Sequence, residues 1–320
     1  MKHVFVIDSK AFNNQQWKLD NIVDSIGQFF RTQEKLTFST QFSRYRRNAM
    51  GIIYDEIEKA DPGETIRIYA IGGEELHFDC LNGAAHFPRT QLAMLSYGET
   101  NDFLKIFGED KIESFKDIPT LVKADVLPTD LMRWGVNYAL NSCYIGMNSA
   151  VLKYLKDLKT RLNKASYSVV SKIVLFFNNF FAAFNRQAAA RDYKVTVDDL
   201  DYSGSYSLIH VANSPYLSGK KSGSADATPD DGLFDIALIK ASNPFKTLFS
   251  VNRYLNGKPP KNCIFTQGKR IQIHSDSPMW IQLDNEYIQD NDISLNVVHH
   301  ALQVAAAEGL SYPLGSISAI

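Results

Sequence analysis

The feature that most constrains the fold is a change of rhythm near Pro119–Pro128. Before it, short apolar runs alternate with stretches of helical spacing. Val4–Ile7, Leu36–Ser39, Thr65–Ile71 and Leu92–Leu95 read as strands. Residues 15–31, 43–59 and 74–83 read as helices, the first with Leu19, Ile22, Val23, Ile26, Phe29 and Phe30 on one face. Strand–helix alternation of this kind predicts an α/β domain with a parallel sheet covered by helices. After the change, strands dominate, at 132–143, 191–200, 204–213, 233–240, 262–274, 279–284 and 292–298. Helical stretches at 147–159, at 166–184 and after Asn243-Pro244 interrupt them, so a β-rich, mostly antiparallel domain with helical insertions is expected. The expected division is 1–125, 126–298 and a tail, 299–320, packing back on the first domain.

The 320 residues suffice for two domains with their own cores. Charge excludes one class of partner. Lys+Arg 34 against Asp+Glu 35 leaves a net charge of -1 and no broad basic field for nucleic acid. Cys80, Cys143 and Cys263 are too few and too scattered for a disulfide framework, and read as buried thiols in a reducing compartment. Met1 leads straight into a strand-like run rather than a leader. The most apolar stretch, Val169–Phe184, carries Lys172, Asn178 and Asn179, so it reads as a buried helix. A cytoplasmic protein is expected.

Five turns carry chemistry-bearing residues in order. Gly72-Gly73-Glu74-Glu75-Leu76 joins a strand to a helix, where backbone N–H groups and the helix dipole can hold phosphate. Gly98-Glu99-Thr100-Asn101-Asp102-Phe103 does the same after the next strand, and its polar residues also suit a helix cap. Asn141-Ser142-Cys143-Tyr144-Ile145-Gly146 follows. Asp230-Asp231-Gly232-Leu233-Phe234-Asp235 closes a long polar loop, 214–231, and Asp284-Asn285-Glu286 lies between two late strands. Each alone is an ordinary turn.

As an ordered set they resemble the diacylglycerol kinase catalytic-domain family of lipid kinases, which includes soluble bacterial enzymes and sphingosine kinases. The resemblance implies an N-terminal domain like those of NAD kinase and phosphofructokinase, a β-rich sandwich-like second domain, and ATP and lipid meeting in a cleft. It assigns nucleotide contacts to Thr40, Gly72, Gly73, Glu74, Glu75, Gly98, Glu99, Asn101 and Asp102. It assigns a structural Mg²⁺ to the Asp231 carboxylate and the carbonyls of Thr228 and Leu233, a hard-cation donor set. Glu286 becomes the proton acceptor from the lipid hydroxyl and Asp284 its partner carboxylate. The family pattern GGDGT reads here as GGEEL, and Glu99 stands where the family has threonine. Two unit charges about 4 Å apart repel by roughly 4 kcal/mol at an effective dielectric of 20, so Glu75 and Glu99 oppose a bound phosphate. If Glu75 took a positive φ, it would add backbone strain.

The implied activity is an ATP- and Mg²⁺-dependent lipid kinase acting on a diacylglycerol-like hydroxyl, with transient contact with a membrane surface. Two alternatives stay open. One is a degenerate homologue that binds nucleotide or lipid without transfer. The other is a kinase of the same fold with a soluble acceptor. A homodimer is compatible with either.

Overall fold

The computed structural model describes residues 1–12, 15–33, 36–97, 101–146, 191–217, 219–284 and 286–313, together with Tyr154, Val170, Ser171 and Val174. Both helices expected between 147 and 184 lie outside the described residues, as does the end of the tail, 314–320. The chain forms two compact units. The first comprises Met1–Leu140, Thr228–Gly232 and Val298–Ile320, and the second Asn141–Ala227 and Leu233–Val297.

In the first unit, β1 (Lys2–Asp8) lies between β2 (Thr37–Ser43) and β3 (Ile66–Gly72), both parallel to it. β4 (Thr90–Ser96) continues the parallel series beside β3. The sequence dictates this arrangement: β3 is buried along all seven residues, which only a sheet covered on both faces can accommodate. Helix α1 (Gln16–Arg31) buries Leu19, Ile22, Ile26 and Phe30, a stripe at three- and four-residue spacing. Helix α2 (Asn48–Glu58) buries Ala49, Ile53 and Ile57, and α3 (Glu74–Ala84) buries every residue from Leu76 to Ala84. A short α4 (Ile118–Lys123) is capped by Asp117, whose carboxylate accepts the Thr120 N–H at 2.9 Å. β5 (Asp125–Trp134) and β6 (Asn137–Ala139) form an antiparallel hairpin that closes this stretch of chain.

In the second unit, β7 (Ser142–Gly146), β8 (Arg191–Val197) and β9 (Leu200–Asp201) precede β10 (Gly204–Ala212). A small hairpin, β11 (Tyr216–Leu217) with β12 (Lys220–Lys221), leads to β13 (Phe234–Lys240). Then come α5 (Pro244–Leu255), β14 (Cys263–Gly268), β15 (Arg270–Leu283) and β16 (Glu286–Ala306), whose residues from Val298 onward belong to the first unit. The pairing is antiparallel in the order β14, β13, β10, β7, β15, with β8 pairing with both β10 and β15. Asn243 caps α5 by accepting the Lys246 N–H at 2.9 Å, and the helix buries Val251 and Tyr254 against Tyr144, Leu208, Ala237 and Ile239.

Three expectations need correction. The division falls at Leu140/Asn141 rather than near residue 125, because the β5–β6 hairpin packs with the first unit: Asn82 in α3 bonds Tyr138 through both its amide groups, at 2.9 and 2.8 Å. The single strand expected at 132–143 is therefore three strands with a turn at Gly135, whose φ is 57°. Residues 299–306 are not tail but the end of β16, where Gln303 and Val304 pair in parallel with Gln91 and Leu92 of β4. All three cysteines are free, but Cys263 is only partly buried.

One buried charge ties the parallel sheet to α2. Glu56 is 4 % exposed and lies 2.9 Å from the Lys2 ammonium. It also accepts from Ser39 at 2.9 Å and Gln41 at 3.2 Å. Burial alone would raise its pKa, but the bonds from Lys2 and Ser39 outweigh it, and the carboxyl sits below its ordinary 4.5. A depressed carboxylate stabilises the fold above its unfolded pKa and loses that contribution as pH falls through the folded value. Glu56→Gln is expected to cost about 1–3 kcal/mol in urea melts at pH 7. The gap from wild type should shrink below pH 4.5. A gap independent of pH would contradict this assignment.

Candidate functional site

The glycine turn lies at the end of β3. A Cβ on Gly72 would fall 2.9 Å from Leu76 Cδ2 and 3.1 Å from Asp8 Cβ, so packing requires glycine there. Gly73 differs. A Cβ there would meet nothing within 4 Å, and its φ of -92° suits any residue. Gly73 is the N-cap of α3 and, having no side chain, makes no side-chain cap of its own. Such an end leaves backbone N–H groups for solvent or an anion. Glu74 and Glu75 form its first turn. Glu75 has helical geometry, not a positive φ, so the backbone strain considered above is absent. Its carboxylate is exposed and lies 3.8 Å from Arg46 Nε, an ion pair in water that is worth little. Thr40 sits partly buried on β2, in register with Phe5.

Gly98, Glu99 and Thr100 of the second turn lie outside the described residues. Asn101 and Asp102 are described, and Asn101 faces inward. It is 7 % exposed, its Oδ1 accepts the Phe103 N–H at 2.8 Å, and its Nδ2 donates to His77 Nδ1 at 2.7 Å. His77 Nε2 in turn lies 3.2 Å from the Ala70 carbonyl and 3.4 Å from that of Leu95. Two carbonyl acceptors place the proton on Nε2 and leave Nδ1 as the acceptor, which is the neutral imidazole. Burial agrees, pulling the His77 pKa from 6.5 to about 4. Asn101 and His77 thus form a buried relay that ties Asn101 and Phe103 to the backbone of β3 and β4. Asp102 lies 3.1 Å from Lys105 Nζ, an ammonium on a residue only 5 % exposed. The sequence reading missed Lys105, although a lysine among Phe103, Leu104 and Ile106 is a visible anomaly.

The long polar loop ends in the first unit. Thr228 Oγ1 donates to Asp231 Oδ2 at 3.2 Å, and Asp231 is exposed. Leu233, the third expected metal ligand, is the first residue of the next segment of the second unit. The Gly232 N–H donates to the fully buried Asp130 carboxylate at 2.6 Å, and the Asp130 N–H donates to the Pro229 carbonyl at 2.6 Å. Asp130 was also missed; its signal is a carboxylate whose strand neighbours Thr129, Leu131 and Met132 are all buried.

In the second unit the structure joins two of the five motifs. Asp284 has a left-handed φ of 47°, and its Oδ1 accepts the N–H groups of Asn141 and Ser142, both at 2.9 Å. Asn141 is itself held: its Nδ2 donates to the Tyr216 carbonyl at 2.9 Å, and Ser214 Oγ donates to its Oδ1. Glu286, the first residue of β16, is 6 % exposed and stands opposite Leu283 in the ladder. Asn285 lies outside the described residues. Asp284 therefore shapes the turn, while Glu286 offers a shielded carboxylate beside it.

An α/β unit with parallel strands and a second, β-rich antiparallel unit define the class of protein. Residues 141–306, more than half of the chain, match the family described as the YegS C-terminal NAD kinase beta sandwich-like domain. The chain belongs to that family. A Staphylococcus aureus (strain JH9) protein named "Putative lipid kinase" is 24% identical over 251 residues, covering 76% of this chain and 78% of that one. A Bacillus anthracis strain Sterne structure, described as a putative diacylglycerol kinase, superposes with a TM-score of 0.72 at 20% identity, covering 97% of this chain and 96% of that one. A second, described as a diacylglycerol kinase from the same strain, gives 0.67 at 20% identity, covering 97% and 98%. These structures share the fold.

The relay makes a prediction about acid stability. His77 is lowered to about 4, so between pH 6.5 and 4 the unfolded chain binds a proton that the folded chain refuses. Its contribution is complete above 6.5 and lost as pH falls. His77→Gln should flatten the slope of unfolding free energy against pH in that interval by close to one proton. An unchanged slope would contradict the neutral, buried assignment.

Proposed function

We propose that this protein is a kinase that transfers the γ-phosphoryl group of ATP to a hydroxyl of a diacylglycerol-like lipid. The observation that carries this reading is the pair of carboxylates at the β15–β16 turn. Asp284 is spent on two backbone N–H groups, and Glu286, next but one, is shielded from water. A shielded carboxylate on a fixed turn suits a general base for an alcohol. The names of the relatives support a lipid as the acceptor.

The first unit suits the nucleotide. The glycine N-cap of α3 and the open space at Gly73 fit a phosphate group. The donor set at the polar loop fits Mg²⁺ in kind, since the Asp231 carboxylate and the Thr228 and Leu233 carbonyls are all oxygen ligands. ATP supplies the phosphoryl group and Mg²⁺ neutralises phosphate charge. This chain's residues position them: Gly73 gives backbone access, and Asn101 holds the Phe103 N–H and is itself held by His77. In this reading the protein works in the cytoplasm and meets its acceptor at a membrane surface. No helix among the described residues is long and apolar enough to cross a membrane.

Glu74 and Glu75 favour a second reading, a homologue that has lost transfer. Both stand in the first turn of α3, so their charge opposes a phosphate at that helix end.

Incubation with labelled ATP, Mg²⁺ and mixed vesicles of diacylglycerol, sphingosine and phosphatidylglycerol separates the two. Label in the lipid phase is expected with the first acceptor. No transfer to any of the three, or to a soluble sugar or nucleoside panel, would sink the kinase reading. Glu286→Gln should lower kcat by roughly 10²–10⁴ and leave ATP affinity within about twofold. Equal losses in kcat and nucleotide affinity would point instead to misfolding or to a nucleotide contact.

Gly73→Ala offers a separate check on the nucleotide site. The added methyl meets nothing in the free protein, so stability should stay within about 0.5 kcal/mol of wild type. Mg·ATP affinity should fall at least tenfold because the methyl fills the expected phosphate space. Unchanged affinity in a stable variant would remove α3 from the nucleotide site.

A further inference from the structure

The first unit holds a second group of potential ligands that the kinase reading does not use. Asp130 on β5 has no solvent exposure. Its Oδ2 accepts the Gly232 N–H at 2.6 Å, and its Oδ1 accepts the His300 N–H at 2.7 Å. His299 Nδ1 lies 2.8 Å from the same Oδ1. His299 and His300 are consecutive residues of β16, and consecutive strand side chains ordinarily point to opposite faces. Here His300 has a φ of 50°, an unusual value for a residue in a strand. The two imidazoles lie stacked, with centroids 3.6 Å apart and 27° between planes. One donor atom from each of Asp130, His299 and His300 lies within 4.8 Å of the others.

We infer that Asp130, His299 and His300 form a binding site for a divalent transition metal of the zinc or nickel class. Two imidazole nitrogens and one carboxylate oxygen are the donor set such ions prefer, with the remaining positions left for water. Magnesium, which takes oxygen ligands, is not the ion this set selects. Two metal–ligand bonds of about 2.1 Å separate their donor atoms by about 3.0 Å at a right angle and about 3.4 Å at the tetrahedral angle. The 2.8 Å between His299 Nδ1 and Asp130 Oδ1 has only to open slightly. When neutral His299 binds through Nδ1, its proton moves to Nε2, and the metal takes the place of the proton between the two side chains. The His300 ring supplies the third ligand. The Gly232 and His300 N–H groups stay on the carboxylate and hold it in place, as outer hydrogen bonds do around metal ligands. The ion would clamp β5 to β16 and, through Asp130, steady the Thr228–Gly232 segment.

The test uses the full chain, stripped with a chelator and titrated calorimetrically with Zn²⁺, Ni²⁺ and Mg²⁺ in a non-coordinating buffer. One equivalent of Zn²⁺ or Ni²⁺ should bind saturably, unaffected by excess Mg²⁺. His299→Gln and His300→Gln should each weaken binding at least tenfold while keeping wild-type melting in the absence of metal. His274→Gln is the control, because His274 is another imidazole beside carboxylates, 2.8 Å from Asp292 and 3.5 Å from Asp276. It should leave the affinity unchanged. No saturable binding, displacement by Mg²⁺, or loss on removing His274 rather than His299 and His300 would overturn the site. Because binding and not turnover is read, the result stands apart from whether the chain proves to be a kinase.

Discussion

A carboxylate with no access to water, Asp130, fixes much of the first unit's loop geometry. It accepts one N–H from the polar loop at Gly232 and one from β16 at His300, and its own N–H reaches Pro229. Loop backbone that is buried must find partners, and regular sheet cannot supply them there. The same device recurs at two of the motif turns. Asp284 gathers Asn141 and Ser142 in the second unit, and Asn101 takes Phe103 in the first. Removing such an acceptor would leave N–H groups unsatisfied in a medium of low dielectric, at about 1–3 kcal/mol for each.

The start of α3 shows two demands in opposition. Glutamates in the first turn of a helix stabilise it by roughly 0.3–1 kcal/mol each through the dipole. The same charges compete with any phosphate at that end. Their observed positions soften the conflict: Glu75 points into solvent near Arg46 rather than lying on a strained backbone. Lys105, nearly buried beside Asp102, places a cation in the first unit that the near-zero net charge gave no reason to expect.

Long apolar runs and helical stripes made the first four strands and three helices legible, because each is decided within its own segment. The hairpin of β5 and β6 was not, since its membership depends on Asn82, more than fifty residues away, reaching the Tyr138 backbone. The end of the last strand, 299–306, was read as tail for a similar reason: only pairing with β4 reveals it. Motif order singled out Glu286, Asp284 and Asn101, but not what their side chains touch. Asn101 has the look of a helix-capping or ligand-binding residue, and turns instead toward His77. Nothing local marks Asp130, His299 and His300 as partners. They meet only when the fold brings residues 130 and 299 together.

Calorimetric titration of Mg·ATP into the wild-type chain, with no lipid present, addresses the central claim most directly. One-to-one saturable binding, accompanied by a rise in melting temperature, is the expected result. Absence of heat and of any thermal shift at millimolar nucleotide would contradict it, and would mean that Glu74 and Glu75 have closed the helix end to phosphate.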